Sequence, residues 1–517
     1  ETILSHGGAA KANVFTHITL ALFEQIPWRG VPFIPVEIML LPKWFPFHIS
    51  RVAYWSRTVM VPLFVLTTLK PKAKNPKNIN IRELFTIPPE METNYFPVRS
   101  GLNRVFLWLD KLGRMLEKLL PKFVRNHALR KAEAWVIERL NGLDGLGAIF
   151  PAMVNAHEML AVRGYPDDHP YRKQTAEALR KLLIIKESEA YCQPCMSPVW
   201  DTGLACLAIH EVSETGCEPE AIRALDWLVP RQLLEAPGDW QDNRPNLRGG
   251  GWPFQFGNTH YPDIDDTSVV GWVMYVTEPK RYKECISRAA EWVAGMQSSN
   301  GGFAAFDVDN THYYLNEIPF ADHGALLDPP TCDVTARCLS LFAVLGDPRY
   351  QGTLNRALEF LKREQEANGS WFGRWGTNYI YGTWSVLSAL ALAGESQDQP
   401  NIRRAVEWLC SVQRSDGGWG EDNYSYFEPD LAGQGKRSTS FQTAWALLGL
   451  MSAGEVRSPA VRRGIEYLQR TQLQSGRWFD EDFTAPGFPR VFYLKYHGYS
   501  DYFPLWALAR YRKLLRD

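Results

Sequence analysis

Apolar positions along the chain recur at helical rather than strand spacing. Over the C-terminal two-thirds they follow a repeated order: a helical segment, a Gly-containing turn, then another apolar helix such as YGTWSVLSALALAG or FQTAWALLGLMSAG. One motif, found five times, marks the order: ALDW…Q…GDW, AAEWVAGMQSSNGGF, ALEFLKREQEANGSW, AVEWLCSVQRSDGGW and GIEYLQRTQLQSGRW. Its anchors read Trp227, Gln232 and Trp240; Trp292, Gln297 and Phe303; Phe360, Gln365 and Trp371; Trp408, Gln413 and Trp419; and Tyr467, Gln472 and Trp478. An aromatic always precedes the Gln by five residues, and in four copies another follows it by six. Each copy predicts a helix pair in which the Gln amide bonds backbone groups at the neighbouring helix end and lies against the closing aromatic. Helix pairs repeated in this way close into a ring, so the expected class is all-α, an α/α-barrel.

A weaker copy, KAEAWVIERLNGLDGLGAIF, has Leu140 where the Gln should stand and extends the architecture toward the N-terminus. At 517 residues the chain exceeds what one compact core usually supports, so two domains are expected. The polar stretch RGYPDDHPYRKQ suggests a boundary near residue 170, with residues 1–170 an incomplete α-barrel domain and 171–517 the barrel with the repeats. The chain opens on ETILSHGGAAKANVF, with no initiator Met and no signal peptide, and reads as an interior point of a longer chain. Residues 102–120 differ from the rest. Leu102, Val105, Phe106, Leu109, Leu112, Leu116 and Leu119 share one helical face, and through Lys131 eight basic residues stand against Asp110 and Glu117. That composition suits a helix lying on a membrane surface; the other reading is a helix packed on the core.

The remaining composition narrows the chemistry. Lys plus Arg number 56 against 57 Asp plus Glu, which leaves no uniform field for a polyanion, and nucleic acid is not expected as a partner. The eight cysteines are too sparse for a disulfide framework, and the pair Cys192 and Cys195 lacks the companions of a zinc site. No apolar run is long enough to span a bilayer. The 19 Trp, 21 Tyr and 26 Phe exceed what core filling needs and point to a use for aromatic faces.

The sharpest chemical motif is Asp263-Ile264-Asp265-Asp266-Thr267, three carboxylates within four residues. In a dry site like charges and desolvation both raise carboxyl pKa values, so at least one of the three should hold a proton and serve as a general acid. A solvated acidic turn or a divalent-metal site is the alternative. The flanking Trp252, Phe254, Phe256 and Tyr261 argue against a wet loop, and metal-assisted ionisation of a diphosphate would call for a second acidic cluster of the DDxxD type, which the sequence lacks.

Taken together, DIDDTS, the five Gln–aromatic repeats, SPVWDTG, PGDWQDNRPNLRGGGWPFQF, QSSNGGFAAFDVDN, IPFADHGALLDPPTCDVTAR, GSWFGRWGTNYIYGTW and GFPRVFYLKY resemble the bacterial squalene-hopene cyclases over nearly the whole chain. The resemblance implies two α/α-barrel domains and a peripheral, monotopic protein at the cytoplasmic face of the membrane. It also implies protonation and polycyclisation of squalene or a similar polyprene to hopene and hopanol without metal or other cofactor; a homodimer is left open. Asp265 then resembles the proton donor, Asp263 and Asp266 its supporting carboxylates, Arg337 the partner behind the acid where some members have His, and Tyr381 the tyrosine beside it. Arg337 would stay charged and could not itself reload the acid. The cavity aromatics correspond to Trp55, Trp200, Phe254, Phe306, Phe320, Trp375, Phe488, Phe492, Tyr496 and Tyr499. Phe150, Pro151 and Asn155 stand where other members place Gln-Pro and Tyr near the terminating water. The alternatives are a related class II cyclase acting on another polyprenyl substrate, a prenyltransferase-like α/α-barrel, and a non-catalytic lipid-binding toroid.

Overall fold

The computed structural model describes residues 1–516, and almost all of its regular structure is helical. Two compact units emerge, Glu1–Cys195 with Asn310–Asp328, and Met196–Asp309 with Pro329–Asp517. The expected boundary near residue 170 thus falls inside the first unit. Its polar residues make a helix entry, His169 accepting from the backbone N–H of Tyr171 at 3.2 Å.

The first unit contains α1 (Thr2–Ser5), α2 (Val14–Leu22), α3 (Tyr54–Leu69), α4 (Gly101–Leu116), α5 (Lys122–Arg139), α6 (Phe150–Val162) and α7 (Pro170–Lys181). Helix α3 is buried along nearly its whole length, packed by α5 and α6. Helix α4 reverses the usual polarity of a surface helix. Only Asn103 is buried, and its side chain donates to Glu317 O at 2.7 Å. Along the same inward stripe Phe106 packs edge-on against Phe47, Asp110 accepts from the Phe33 N–H, and Gly113 lets the Phe33 ring approach the helix backbone. The apolar side chains Val105, Trp108, Leu109, Met115 and Leu116 face outward, Trp108 with 61% of its surface exposed.

The second unit is a ring of inner helices, α8 (Pro198–Val212), α10 (Ile264–Thr277), α12 (Cys332–Leu345), α14 (Tyr379–Leu392), α16 (Ser440–Ser452) and α18 (Tyr499–Arg516). Each packs on the next and α18 closes on α8. Between them run α9 (Pro219–Leu228), α11 (Lys283–Gly295), α13 (Gln351–Arg363), α15 (Pro400–Ser411) and α17 (Pro459–Thr471). The pattern explains the layering. Helices α10, α14 and α16 are buried almost throughout, whereas α17 buries only Ala460, Val461, Gly464, Ile465, Tyr467 and Leu468, a single stripe.

Each repeat is a fastener. The Nε2 of Gln297, Gln365 and Gln413 donates to a turn glycine carbonyl and to a carbonyl in the first turn of the next outer helix: Gly301 and Thr353, Gly369 and Asn401, Gly417 and Ala460. Arg356, Arg404 and Arg463 on those helices donate back to the Gln Oε1. The closing indoles of Trp371, Trp419 and Trp478 donate to the carbonyls of Leu361, Leu409 and Leu468, each at 2.8 Å. In the first copy that place belongs to Trp252, which donates to Leu228 O at 2.8 Å, and not to Trp240 as the spacing suggested. An insertion between Gln232 and the turn displaces the closing residue, and Trp240 packs edge-on against Trp292 instead.

Candidate active site

The fasteners also set the register of the inner helices. The backbone N–H of Trp252, Phe303, Trp371 and Trp419 donates to the hydroxyl of Thr267, Thr335, Thr383 and Thr443, in the first turns of α10, α12, α14 and α16. Residues two before or two after such a threonine lie about 200° round the helix, on the side facing the ring. Two before stand Asp265, Asp333, Tyr381 and Phe441; two after stand Val269, Arg337, Ser385 and Trp445. The site is assembled from these equivalent positions.

Asp263 is the N-cap of α10, its Oδ1 accepting from the N–H of Asp265 at 2.7 Å and of Asp266 at 3.1 Å. Both of the next two carboxyls are buried. Asp265 Oδ1 lies 2.7 Å from Arg337 Nε. The pair is in contact, yet the Nε–H is not aimed at the oxygen, and neither atom makes an aligned hydrogen bond. Burial pushes the Asp265 carboxyl up to about 7; Arg337 pulls it down and Asp333 adds to the rise. At Asp265 desolvation thus outweighs the pull of Arg337. Asp266, also buried, is raised well above the usual carboxylate range, first by desolvation and then by Asp263, Asp265 and Asp201.

Arg337 is itself caged. Its Nη1 donates to Ser385 Oγ at 3.0 Å and to Asp333 O at 3.3 Å, and its Nη2 donates to the Tyr381 hydroxyl. The guanidinium carbon lies 4.9 Å from the Tyr381 ring centroid, 5.2 Å from Trp200 and 6.0 Å from Trp384. Desolvation opposes its charge, but Asp265 and its other neighbours prevail and raise its pKa above the ordinary arginine value. The Tyr381 ring is fixed by the backbone of Gly376, where a Cβ would stand 2.5 Å from Tyr381 Cγ.

The predicted aromatics of this unit fall into three contact groups. Trp200 Nε1 donates to Tyr499 Oη at 2.8 Å, Tyr499 stacks on Tyr496 at 4.8 Å, and Tyr496 meets Phe254 edge-on at 6.3 Å. Phe306 meets Trp375 at 6.4 Å, and the Trp375 N–H donates to Asp333 Oδ2 at 2.7 Å. Phe488 and Phe492 face each other across the hairpin Ala485–Phe488/Phe492–Leu494 with centroids 5.2 Å apart. Trp55 and Phe320 belong to the first unit, where Trp55 Nε1 donates to Ala325 O at 2.7 Å and Phe320 packs on Phe15. The structure adds residues that the sequence reading passed over: Asp333, Ser385, Trp384 and Trp445. For Asp333, Ser385 and Trp445 the signal was the threonine register, which makes Asp333 the counterpart of Asp265 one repeat on.

A closed α/α ring that buries a carboxyl of raised pKa beside a caged guanidinium and clustered aromatics is the frame of a terpene cyclase. The chain belongs to the squalene-hopene cyclase family. Models of the squalene-hopene cyclase N-terminal domain and C-terminal domain match residues 1–188 and 196–513. A probable squalene-hopene cyclase of Sinorhizobium fredii is 53% identical over 523 residues, covering 99% of this chain and 81% of that protein. The squalene-hopene cyclase of Bradyrhizobium diazoefficiens is 52% identical over 99% of this chain and 79% of its own length. That of Alicyclobacillus acidocaldarius is 43% identical over 99% and 81%.

Proposed function

We propose that the protein cyclises squalene to hopene and hopanol, with Asp265 as proton donor. The observation that carries this reading is the Asp265 carboxyl, held protonated to about pH 7 by burial while in contact with a permanent cation. The proton passes to a terminal double bond of the polyprene, and the carboxylate left behind is paired with Arg337. Asp263 orients the acid through the helix cap, and Asp266 and Asp333 set the field around it. The growing carbocation has no counter-ion; Phe254, Phe306, Trp375, Phe488, Phe492, Tyr496 and Tyr499 offer it π-faces worth about 0.5–2 kcal/mol each when desolvated, without acting as bases. Proton loss or water capture then ends the cascade.

Association with a membrane surface, at its cytoplasmic face, belongs to the same reading. No helix among the described residues is long and apolar enough to cross a bilayer, while the outward apolar side chains of α4 beside its basic residues suit an interfacial helix.

The test is Asp265→Asn incubated with squalene in the presence of EDTA beside the unaltered protein. The unaltered protein should form pentacyclic product in chelator, and the variant should form none while keeping its thermal transition. Retained cyclisation in the variant would move the acid elsewhere, and a wild-type loss restored by Mg²⁺ would favour a diphosphate substrate.

A further inference from the structure

A cavity outside the acid site lies in the first unit, where the C-terminal half of α4 meets the end of α3 and residues 28–35. It holds about 240 Å³, and its lining includes Arg29, Lys70, Arg114 and Lys118 against one carboxylate, Glu117. These cations are unequally committed. Arg114 is spent on Asp110 and on the carbonyls of Trp28 and Val31. Arg29 uses only Nη2, on the carbonyls of Pro89, Glu90 and Glu92, leaving Nε and Nη1 without a hydrogen bond. Lys70 makes only a long ion pair with Glu117, at 3.7 Å, and the exposed Lys118 has no ion-pair partner among the described residues.

The chain around Lys118 is apolar and open to solvent: Met115 is 65% exposed, Leu116 50%, Leu119 77% and Phe123 75%. Cations with donors to spare, in a recess beside outward-facing hydrocarbon, match the two halves of one ligand, a phosphate joined to an acyl chain. We propose that this cavity binds the phosphate of an anionic phospholipid headgroup, with Lys118, Lys70 and Arg29 as donors, while Leu116, Leu119 and Phe123 enter the acyl layer beside it. The proposal rests on the membrane reading above and adds a defined headgroup site to it.

The experiment floats the full chain with vesicles of pure phosphatidylcholine and with vesicles doped with phosphatidylglycerol. It compares Lys70→Gln/Lys118→Gln with Arg104→Gln/Lys111→Gln, which removes equal charge from α4 away from the cavity. The wild type should gain affinity on doping. The cavity variant should lose that gain by roughly tenfold or more while still binding pure phosphatidylcholine, and the α4 variant should lose clearly less. Inorganic phosphate, but not chloride of equal ionic strength, should erase the wild-type gain. Equal losses in both variants would make the attraction diffuse and overturn the proposal, as would a gain insensitive to phosphate. Thermal stabilisation by inorganic phosphate without any gain on doping would assign the cavity to a free anion and reject the headgroup. Failure to bind pure phosphatidylcholine, with the phosphate response intact, would instead reject the membrane reading.

Discussion

Replacing Arg337 by Gln isolates what the guanidinium does for the acid. Gln keeps part of the side-chain volume and a polar end, but it is too short to make the Nη bonds to Ser385 and Tyr381 and carries no charge. In the native site burial lifts Asp265 to about 7 against the pull of Arg337 at 2.7 Å. An opposite charge this close lowers a carboxyl by about 1–3 units, so its removal should raise the Asp265 pKa by about that much. The sign follows from the donor's role: turnover needs the protonated form, so activity is present below the pKa and lost above it. The alkaline limb of kcat/KM, near pH 7 in the wild type, should therefore move upward in Arg337→Gln. The plateau below it should fall, because a weaker acid protonates an alkene more slowly. Stability responds in the same sense: a buried carboxyl with a raised pKa costs nothing below about pH 4 and penalises folding as pH climbs toward its folded value. In the variant that decline should extend to higher pH. Squalene turnover from pH 5 to 9, paired with melting on the same samples, reads both quantities. A limb that stays at about 7 or shifts downward would show that the titrating group is not Asp265 under the influence of Arg337. Asp263, Asp266 and Asp333 are close enough that the limb belongs to the cluster, so Asp266→Asn is the companion variant.

Gln413→Ala removes bonds to Gly417 and Ala460 and uncovers the Arg463 donor, a loss of about 2–4 kcal/mol, whereas Gln472 bonds only Gly476 and its change to Ala should cost about 1 kcal/mol; equal shifts in melting would refute the fastener. Val105, Leu109 and Leu116, all changed to Ser, should release the protein from liposomes with no change in melting, since all three lie exposed; unchanged flotation would place the membrane contact elsewhere. Phe488→Leu keeps apolar volume and discards the π-face, so partly cyclised hydrocarbons should appear while stability falls by less than the roughly 3–5 kcal/mol typical of Phe→Ala. Gas chromatography decides it, an unaltered product profile removing Phe488 from the site.

Sequence pattern disclosed the ring through Gln and aromatic spacing, because that fastener is local and repeats. It missed Trp252 as the first closing residue, since an insertion breaks the six-residue rule there and only the indole's bond to Leu228 restores the assignment. The DIDD acids were legible as a cluster because they are neighbours in sequence. Their separate states were not: Asp263 is turned back on the helix end as a cap, while Asp265 and Asp266 are buried and desolvation raises both. Asp333 was hidden because its link to Asp265 runs through repeat register rather than through a motif of its own.

The threonine register divides labour along each inner helix. Fastening falls to one face, through Thr267, Thr335, Thr383 and Thr443, and chemistry to the opposite face, through side chains that make none of those bonds. The barrel is thus a socket whose pins stand apart from its closure: the residues two before or two after each threonine bond across repeats to one another, as Arg337 does to Asp265, Tyr381 and Ser385, and not to the fasteners. A library restricted to these eight positions would vary acid, cation partner and aromatic face together on an unaltered frame, and the repeat that once multiplied a helix pair would become the grid on which a new cyclisation outcome is selected.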